Sequence, residues 1–406
     1  MMSESEASLS GDDAAAVERL RAYVRINTAP PSADYAGAVA LLSASLASFG
    51  IASRVLTLPS GLPVLLATVE GLEPSLPSVL LNSHTDVVPV QRECWSCDPF
   101  AAEERDGKIF GRGTQDMKSC GIQQLEAVGR LVRSGVRLRR TVHLSFVPDE
   151  ELGGKRGMKQ LLETDDWRAL NVGVALDEGL ANPADAYTLF YGERAPWWVR
   201  VHATGNVGHG SRFIEGTALQ KLHDVCAKFL AFRKQQKALL DDSHGCKTLG
   251  DVTTVNLTNI EGGIGGQPNV IPGFAHATFD IRIAPTVDLA LFEKQLDEWC
   301  AVDGVRYEFL QKLPSHNIST IDANDKWWSA LLGVFQKIGV KIEPEIFPAA
   351  TDSRFIRARE IPCYGFSPIK NSPILLHDHN EFVFRDDFVR GIGVMQALVQ
   401  ALANVE

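Results

Sequence analysis

Apolar runs of strand length alternate with helical patterns in the first part of the chain, up to Gly179. Strands are predicted for SRVLTL, VLLATVEG, SVLLNS, TVHLSFV and VGVALDEG. Apolar residues recur every three or four positions from Ser32 to Phe49, which predicts a helix with Ser32 as a cap and Gly50 as its stop. A second helix is predicted for IQQLEAVGRLV. This alternation favours a mostly parallel sheet covered by helices on both faces, because parallel strands need crossover connections.

From about Thr188 the predicted order changes to strand, helix, strand, strand, helix, strand. The segments are LFYGERAPWWVRVHA, ALQKLHDVCAKFLAF, TTVNLTNI, FAHATFDIRI, LALFEKQLDEW and VRYEFL. This βαββαβ order is typical of a ferredoxin-like domain, whose sheet has an edge or a face available for pairing. After Pro314 the earlier rhythm returns and ends in a helix over FVRGIGVMQALVQALANV. We therefore expect a discontinuous α/β domain (residues 1–187 and 314–406) interrupted by an inserted domain (188–313).

The composition is that of an ordinary globular protein. With 406 residues, of which 45% are hydrophobic and 22% charged, the chain can bury a large core. A net charge of -10 without a basic stripe disfavours a nucleic acid partner. The N-terminal segment lacks the layout of a secretory signal and no apolar stretch approaches the length of a membrane span, so we expect a cytoplasmic protein without a membrane partner. Seven cysteines, an odd number, favour free thiols in a reducing compartment.

Five segments, most of them apolar strands, lead into acidic residues or histidines. In an open parallel sheet, ligands bind beyond the carboxyl ends of the strands, so side chains from separate strand ends converge there. Many carboxylates in one place would raise each other's pKa, unless a cation shared the pocket. Imidazole and carboxylate donors without cysteine suit a divalent transition metal such as zinc at a catalytic site. The converging residues are His84, Asp86, Asp116, Glu150, Glu151, Asp177, Glu178, His377 and His379.

Each of these segments, taken alone, is more typical of a solvated turn or a helix cap. Asp116 has the position of a cap for the helix that follows it, and Glu150 and Glu151 have that of an acidic turn. The coincidence of five such endings is what favours a metal site. Cys94 and Cys97 have the spacing of a thioredoxin-type pair, but no βαβ start places them at a helix N-terminus. The glycines of GRGTQDMK lack the remainder of a phosphate-binding motif.

A set of motifs along the chain resembles the dizinc amidohydrolase family that includes aminoacylases, acetylornithine deacetylases and glutamate-releasing carboxypeptidases. The motifs are HTDVVP, GRGTQDMK, VPDEELGG, ALDEG, GHGSRF and LLHDHNE. The segments WSCDPF, GERAPWWVRV, PAATDSRFIRA and ALDEGLANP are most similar to the aminoacylase members. The resemblance covers almost the entire chain. It implies a zinc-peptidase-like, mostly parallel sheet between helices, with an inserted ferredoxin-like dimerisation domain.

The resemblance also implies two zinc ions per chain, for which cobalt or manganese could substitute. The implied ligands are Asp116 as the bridge, His84 and Glu178 at one ion, and Glu151 and His377 at the other. Asp86 is implied to orient and polarise the ring of His84, as carboxylates do behind metal-bound imidazoles. Asp177 and His379 fall outside the ligand positions of the family motifs and are expected to be neighbours of the site.

Glu150 is the expected general base. Glu150 and Glu151 are expected on an extended segment, where adjacent side chains point opposite ways, so one can bind metal while the other faces the attacking water. By the resemblance, His209 of the inserted domain donates to the oxyanion in the active site of the partner subunit, within a symmetric homodimer. A histidine between glycines is otherwise more typical of a flexible loop.

Substrate binding is assigned to four polar residues. A carboxylate on the substrate favours arginine, which pairs with it through two hydrogen bonds, so Arg354 and Arg282 are candidates. Asn269 and the main chain of Thr351 are implied by related enzymes. The segment GGIGGQPNVIP is longer than the family form, which puts the reach of Asn269 in question.

The resemblance implies hydrolysis of N-acyl-L-amino acids, with N-acetyl or other short acyl groups and neutral side chains, to a carboxylate and a free L-amino acid. A dipeptidase or carboxypeptidase on the same dizinc scaffold is the alternative, because the metal chemistry does not distinguish an acetyl from an aminoacyl group. A relative that binds without catalysis is disfavoured, since all five ligands and Glu150 are present. A thiol oxidoreductase built on Cys94 and Cys97 is disfavoured more strongly.

Overall fold

The structure, a computed structural model, describes residues 9–263 and 265–406. The helices are α1 (Gly11–Arg25), α2 (Tyr35–Ser48), α3 (Lys118–Arg133), α4 (Met158–Leu161), α5 (Asp165–Ala169), α6 (Ala218–Asp241), α7 (Leu289–Cys300), α8 (Lys326–Ile338), α9 (Ser353–Arg357) and α10 (Arg385–Ala403). The strands are β1 (Ser53–Thr57), β2 (Pro63–Val69), β3 (Ser78–His84), β4 (Glu104–Arg105), β5 (Lys108–Phe110), β6 (Val142–Val147), β7 (Val172–Asp177), β8 (Ala186–Glu193), β9 (Ala195–Thr204), β10 (Gly208–His209), β11 (Thr254–Gly262), β12 (Val270–Ile271), β13 (Phe274–Ile283), β14 (Val305–Lys312), β15 (Lys341–Phe347), β16 (Cys363–Gly365) and β17 (Phe382–Phe384).

The described residues divide into two compact units. Unit 1 comprises the chain up to Tyr191 together with Ser319–Pro344 and Thr351–Glu406, and unit 2 comprises Gly192–Ile318 and Glu345–Ala350. The unit bounds differ by a few residues from the predicted domain bounds, because β8 continues to Glu193 and the end of β15 joins unit 2.

An eight-stranded sheet has the order β1-β2-β6-β3-β7-β16-β8-β15. Its centre is parallel, with β3 between β6 and β7 and with β16 beside β7. The strands β1 and β2 at one edge, and β8 towards the other, pair antiparallel. Neighbouring parallel strands end at the same edge of a sheet, so the carboxyl ends of β6, β3 and β7 lie side by side. The predicted α/β class is confirmed.

The centre of this sheet is buried on both faces. Every residue of β3 is buried, as are most residues of α3, which packs against α1 and α10. Strands covered on both faces are apolar along their length rather than alternating, which explains the continuous run Val79–Leu81. The core therefore holds the strand ends in fixed positions.

Unit 2 follows the βαββαβ order of a ferredoxin-like domain: β9, α6, β11, β13, α7, β14. Its sheet is antiparallel and has the strand order β11-β13-β9-β14. Alternate residues of β9 and β13 are buried in one cluster with apolar residues of α6 and α7. The opposite face of the sheet carries polar and half-buried side chains and has no helix over it among the described residues of unit 2.

The start of α2 differs from the prediction. The carboxylate of Asp34 accepts the N–H of Gly37 at 2.8 Å and caps the helix, so α2 begins at Tyr35 and Ser32 is not its cap. Gly50 ends the helix region as predicted, with a φ of 75° that suits glycine.

The predicted single strand LFYGERAPWWVRVHA is two strands, β8 and β9, separated at Arg194. Arg194 is buried, and its guanidinium donates to the main-chain carbonyls of Pro348 at 2.8 Å and Val252 at 3.3 Å. A buried cation needs such acceptors, and reaching them interrupts the ladder.

Within the described parts of the chain, none of the helices combines the length and the apolar character needed to cross a lipid bilayer.

Candidate metal centre

His84 is the last residue of β3 and presents one ring nitrogen to a buried group of acids. Its Nδ1–H donates to the main-chain carbonyl of Asp86 at 2.9 Å, so Nε2 is the nitrogen that faces the acids and could bind a metal. Nε2 lies 2.9 Å from Asp116 Oδ1 and 3.4 Å from Glu178 Oε2. Glu178 directly follows β7, the strand beside β3, so the sheet itself brings these two residues together.

Asp116 ends the turn before α3 and directs its two carboxylate oxygens to different neighbours. Oδ1 faces His84, whereas Oδ2 lies 3.2 Å from His377 Nε2. The same nitrogen of His377 lies 3.1 Å from Glu151 Oε2. His377 has a φ of 62°, a left-handed conformation that costs free energy in a residue other than glycine and that the surrounding loop must hold.

Two groups of three donors share Asp116. The groups are His84, Asp116 and Glu178, and Asp116, Glu151 and His377; in each, the donor atoms lie within 4.8 Å of one another. Ligands of a tetrahedral zinc ion, at about 2.0–2.2 Å from the metal, are roughly 3.3 Å apart. Glu151 Oε1 is buried and has no hydrogen bond partner among the described residues. The donor set therefore fits two divalent ions bridged by Asp116.

The acids of this centre are crowded. Burial and the charge of Glu178 raise the pKa of Glu150 well above its usual range, and burial raises that of Glu151 to about 7. Burial alone would raise the pKa of Asp116, but hydrogen bonds from the two imidazoles lower it. Hydrogen bonds to Asp116 and Glu151 raise the pKa of His377 to about 10. So many carboxylates need positive charge beside them, which a divalent cation supplies more strongly than protons do.

The structure gives Asp86 a different set of contacts from the expected one. Its carboxylate lies 3.8 Å from His84 Nδ1, which instead donates to the main-chain carbonyl of Asp86. The Asp86 carboxylate accepts the N–H of Glu150 at 3.2 Å and that of Glu151 at 3.1 Å. Glu150 and Glu151 lie in a turn after β6, whereas an extended segment was predicted. Asp86 therefore fixes the turn that presents both glutamates.

A buried ion pair holds the turn that carries Asp116. Glu381 is fully buried and pairs with Arg112 at 2.8 Å, and Arg112 also donates to the main-chain carbonyl of His377 at 3.3 Å. The main-chain N–H groups that donate to Glu381 belong to Gly113 (2.9 Å), Gln115 (2.6 Å) and Asp116 (3.2 Å). The ion pair of Glu381 and Arg112 thus joins the Asp116 turn to the His377 loop. Glu381 closes the motif LLHDHNE but was not predicted, because binding to main-chain N–H groups leaves no sequence pattern.

A second acidic layer lies beside Glu178. Asp177 accepts hydrogen bonds from Asn82 Nδ2 at 2.9 Å and from Ser353 Oγ at 2.7 Å, and belongs to neither group of donors. Asp352 is buried, and within residues 9–263 and 265–406 neither of its carboxylate oxygens has a hydrogen bond partner. Burial and the charge of Asp177 raise the pKa of Asp352 well above its usual range. His379 is exposed in the loop after His377.

The predicted substrate residues Thr351 and Arg354 flank the start of α9. Thr351 is buried. Arg354 donates from Nη2 to the main-chain carbonyl of Gly153 at 2.9 Å, and its guanidinium stacks on the ring of Phe355 at 4.6 Å. Gly153 follows Glu151 by two residues, so Arg354 contacts the acidic turn. Their part in substrate binding stays a prediction.

His209, Asn269 and Arg282 belong to unit 2. His209 Nδ1 contacts Ser211 Oγ at 2.7 Å, and Asn269 Nδ2 lies 3.5 Å from His209 Nε2, because β10 pairs with β12. The structure therefore brings these two residues together. Arg282 binds both carboxylate oxygens of Asp280, at 2.6 and 3.0 Å, so its guanidinium already has a carboxylate partner. To bind a substrate carboxylate as expected, the Arg282 guanidinium would first have to leave the carboxylate of Asp280.

Comparison with known proteins identifies a family, several sequence relatives and structures of similar fold. Peptidase family M20/M25/M40 matches residues 80–401. The chain is 50% identical to aminoacylase-1 of Mus musculus, over 96% of this chain and 95% of that protein. It is 48% identical to aminoacylase-1 of Dictyostelium discoideum, over 95% and 97%. Its fold is similar to that of the M20 family metallo-carboxypeptidase Sso-CP2 from Sulfolobus solfataricus, with a TM-score of 0.73 and 15% identity, over 97% of this chain and 100% of that chain.

Proposed function

The chain belongs to peptidase family M20/M25/M40, and from this premise we propose that it is a dizinc aminoacylase that acts as a homodimer. It catalyses the metal-dependent hydrolysis of N-acyl amino acids. The observation that carries this conclusion is the identity of about 50% to aminoacylase-1 over nearly the full length of both chains. The finer proposal is that the acyl groups are acetyl or other short chains, on L-amino acids with neutral side chains.

Five side chains would hold the metal in this proposal. They are His84 and Glu178 at one zinc ion, Glu151 and His377 at the other, and Asp116 as the bridge. The proposal is supported by the two oxygens of Asp116, which face different histidines at 2.9 and 3.2 Å. When bound, the ions would acidify a water molecule and polarise the amide carbonyl. Cobalt or manganese would suit the same oxygen and imidazole donors.

Glu150 is the general base of the proposed reaction. It is buried next to Glu151, and the Asp86 carboxylate holds the main-chain N–H groups of both. A carboxylate fixed in this way takes a proton from the attacking water and delivers it to the nitrogen of the leaving amine. Asp86 is a positioning residue, because it also fixes the ring of His84 through its main-chain carbonyl.

The homodimer would form through unit 2. β11 is an edge strand of its sheet, and Ile260 on this strand is 57% exposed. Leu219 and Leu230 of the neighbouring α6 are also exposed, so an unpaired edge lies beside an apolar surface. In the proposed dimer, His209 of one chain donates to the oxyanion that forms in the site of its partner. Asn269, which lies against His209, would contact the same substrate.

Arg354 is the proposed partner of the substrate carboxylate, with the main chain of Thr351 beside it. The support is its place next to the acidic turn and the fork geometry of its guanidinium, which matches a carboxylate. Arg282 is a weaker proposal, since its guanidinium is paired with Asp280.

A cytoplasmic location is part of the proposal. All seven cysteines are free, including Cys94 and Cys97, as is usual in a reducing compartment.

The test is hydrolysis of N-acetyl-L-methionine and of the dipeptide alanyl-methionine by the purified protein, before and after removal of metal by a chelator. We expect the acetylated substrate to be hydrolysed faster, the activity to be lost with the metal, and zinc to restore it. Activity that survives complete metal removal would exclude the metal mechanism. Faster hydrolysis of the dipeptide would replace the aminoacylase by the dipeptidase alternative.

A further inference from the structure

The face of the unit 2 sheet opposite α6 and α7 carries a pair of histidines. His202 on β9 and His276 on β13 are direct partners in the antiparallel register, so their side chains project from the same face. Their ring centroids are 5.8 Å apart. Both side chains are largely buried, with 13% of His202 and 15% of His276 exposed.

Each ring turns one nitrogen outward to a glutamate on the next strand. His202 Nε2 lies 2.9 Å from Glu308 Oε1 on β14, and His276 Nε2 lies 3.4 Å from Glu261 Oε2 on β11. An ionised carboxylate only accepts hydrogen bonds, so each glutamate favours the tautomer with the proton on Nε2 and the lone pair on Nδ1. Asn259 Nδ2 donates to the other oxygen of Glu261 at 3.0 Å and holds that carboxylate in place.

The Nδ1 atom of each ring lies on the side away from its glutamate. In an imidazole ring, Nδ1 and Nε2 lie on opposite sides of the long axis, and here the Nε2 atoms turn to the outer strands β14 and β11. The Nδ1 atoms therefore turn to the space between β9 and β13. Both are buried, and the described residues provide no hydrogen bond partner for either. Buried nitrogen atoms without a hydrogen bond donor call for a bound partner, and two such lone pairs suit a cation.

We propose that His202 and His276 bind a divalent transition metal ion of the zinc, copper or nickel class through their Nδ1 atoms. Two imidazoles on one tetrahedral ion, with metal–nitrogen distances of about 2.0–2.1 Å, have ring centroids roughly 5 Å apart, close to the observed separation. A metal-bound histidine commonly donates its other N–H to a carboxylate, which is the part of Glu308 and Glu261 here. Neutral imidazole is a preferred ligand of these metals.

The surroundings of the pair suit such an ion. The ring of Phe274 lies 6.2 Å from that of His202 and 5.6 Å from that of His276, and covers one side of the site. The nearby guanidinium groups are those of Arg306, opposite His202 in the register, and Arg200, which donates to Thr278 Oγ1 at 3.4 Å. Their two positive charges are balanced by Glu308 and Glu261. Water would fill the remaining coordination positions.

This site is independent of the proposed aminoacylase centre. Both histidines and both glutamates belong to unit 2, whereas all five proposed ligands of the centre belong to unit 1. Its test therefore does not depend on which substrate the enzyme hydrolyses.

The test is calorimetric titration of Zn²⁺ into the zinc-loaded protein after removal of excess metal. We expect one further equivalent per chain in the wild type and none in His202→Gln or His276→Gln. His223→Gln, which changes an exposed histidine on α6, is the matched control and should keep the further equivalent. The rate of hydrolysis should be the same in all four proteins. A wild type that takes up no further zinc, or variants that take up as much as the wild type, would overturn the proposal.

A second pair of variants keeps both imidazoles and guards against loss of folding. Glu261→Gln and Glu308→Gln remove only the carboxylates behind the rings and should weaken the affinity for the further ion about 10- to 100-fold. Thermal unfolding without added zinc should match that of the wild type, and the rise in Tm on adding zinc should shrink. An unchanged affinity in both variants would contradict the assigned tautomer and the site.

Discussion

Asp116 is the residue on which the proposed centre depends, and Glu150 is the one on which the proposed chemistry depends. The two are separable, because Asp116 lies between both histidines whereas Glu150 is in neither group of donors. A substitution at Glu150 should therefore affect proton transfer and leave the metal content intact.

Glu150→Gln keeps the shape of the side chain and removes its basicity. We expect kcat for N-acetyl-L-methionine to fall by about 10²- to 10⁴-fold, the usual contribution of a general base, while the protein still binds two metal ions per chain. The measurement is steady-state kinetics together with elemental analysis. Glu163→Gln, at an exposed glutamate that pairs with Arg359, is the control and should be fully active. A Glu150→Gln protein with the wild-type kcat would show that the base lies elsewhere.

His143 on β6 gives a prediction about pH and stability. Its Nε2–H donates to the Leu170 carbonyl at 3.1 Å, Nδ1 lies 2.9 Å from Thr68 Oγ1, and burial lowers its pKa to about 4. As the pH falls from about 6.5 to 4, the unfolded chain takes up a proton that the folded chain excludes, so this histidine reduces stability in that window.

The expected effect is a loss of about 2 kcal/mol in the free energy of unfolding between pH 7 and pH 5 that is due to His143. Urea unfolding of the wild type and of His143→Gln at both pH values measures it. The glutamine variant should lose less stability on acidification by that amount. If the wild type and His143→Gln lose equal free energy of unfolding between pH 7 and pH 5, then folding does not lower the pKa of His143.

At the scale of elements, two loops meet at Glu381. The turn before α3 carries Asp116, the loop before β17 carries His377, and the Glu381 carboxylate binds the first while its partner Arg112 binds the second. Glu381→Gln should lower the free energy of unfolding by about 1–3 kcal/mol, because it weakens hydrogen bonds to a buried charge. It should also lower metal retention during dialysis against a weak chelator.

Thermal unfolding measures the loss of stability of Glu381→Gln, and metal analysis after dialysis measures the loss of metal. Glu360→Gln, at an exposed glutamate, is the control. A variant that melts earlier but keeps its metal fully would limit Glu381 to a role in folding and refute its role in holding the two loops around the metal.

The sequence predicts elements well where periodicity and burial act together. The strands β3, β6 and β7 are found where apolar runs predicted them, and their ends bring His84, Glu150 and Glu178 to one edge. Prediction fails where a single long-range contact decides the local structure. Arg194 divides β8 from β9 by reaching carbonyls far along the chain, and Asp86 shapes the turn at Glu150 through main-chain hydrogen bonds.

The residues of the candidate site divide in the same way into those that the sequence predicts and those that it does not. The donor residues were found because acids and histidines at strand ends are visible in the sequence and match family motifs. Glu381 and Asp352 were missed, because their importance comes from main-chain contacts and from burial, which only the fold creates. Arg282 shows the reverse case, a residue of the right type whose guanidinium is bound to Asp280.

At the scale of the whole molecule, the proposed homodimer predicts that two inactive variants restore each other. Glu150→Gln lacks the base and His209→Asn lacks the proposed oxyanion donor, so each alone should be nearly inactive. In a mixed dimer with His209 acting in trans, one site would combine Glu150 from one chain with His209 from the other.

Equal amounts of the two variants, unfolded together and refolded with zinc, should recover about a quarter of the wild-type activity, since half of the dimers are mixed and each has one complete site. The control is each variant refolded alone. No recovery from the mixture, although light scattering shows dimers, would mean that His209 acts within its own chain. A His209→Asn protein that is active when refolded alone would mean that His209 has no part in the reaction.

The proposed bridging of two metal ions by Asp116 can be observed directly by anomalous X-ray diffraction from zinc-loaded crystals, recorded on both sides of the zinc absorption edge. We expect one anomalous peak among His84, Asp116 and Glu178 and a second among Asp116, Glu151 and His377. A single peak at this centre, or peaks that Asp116 does not contact, would contradict it.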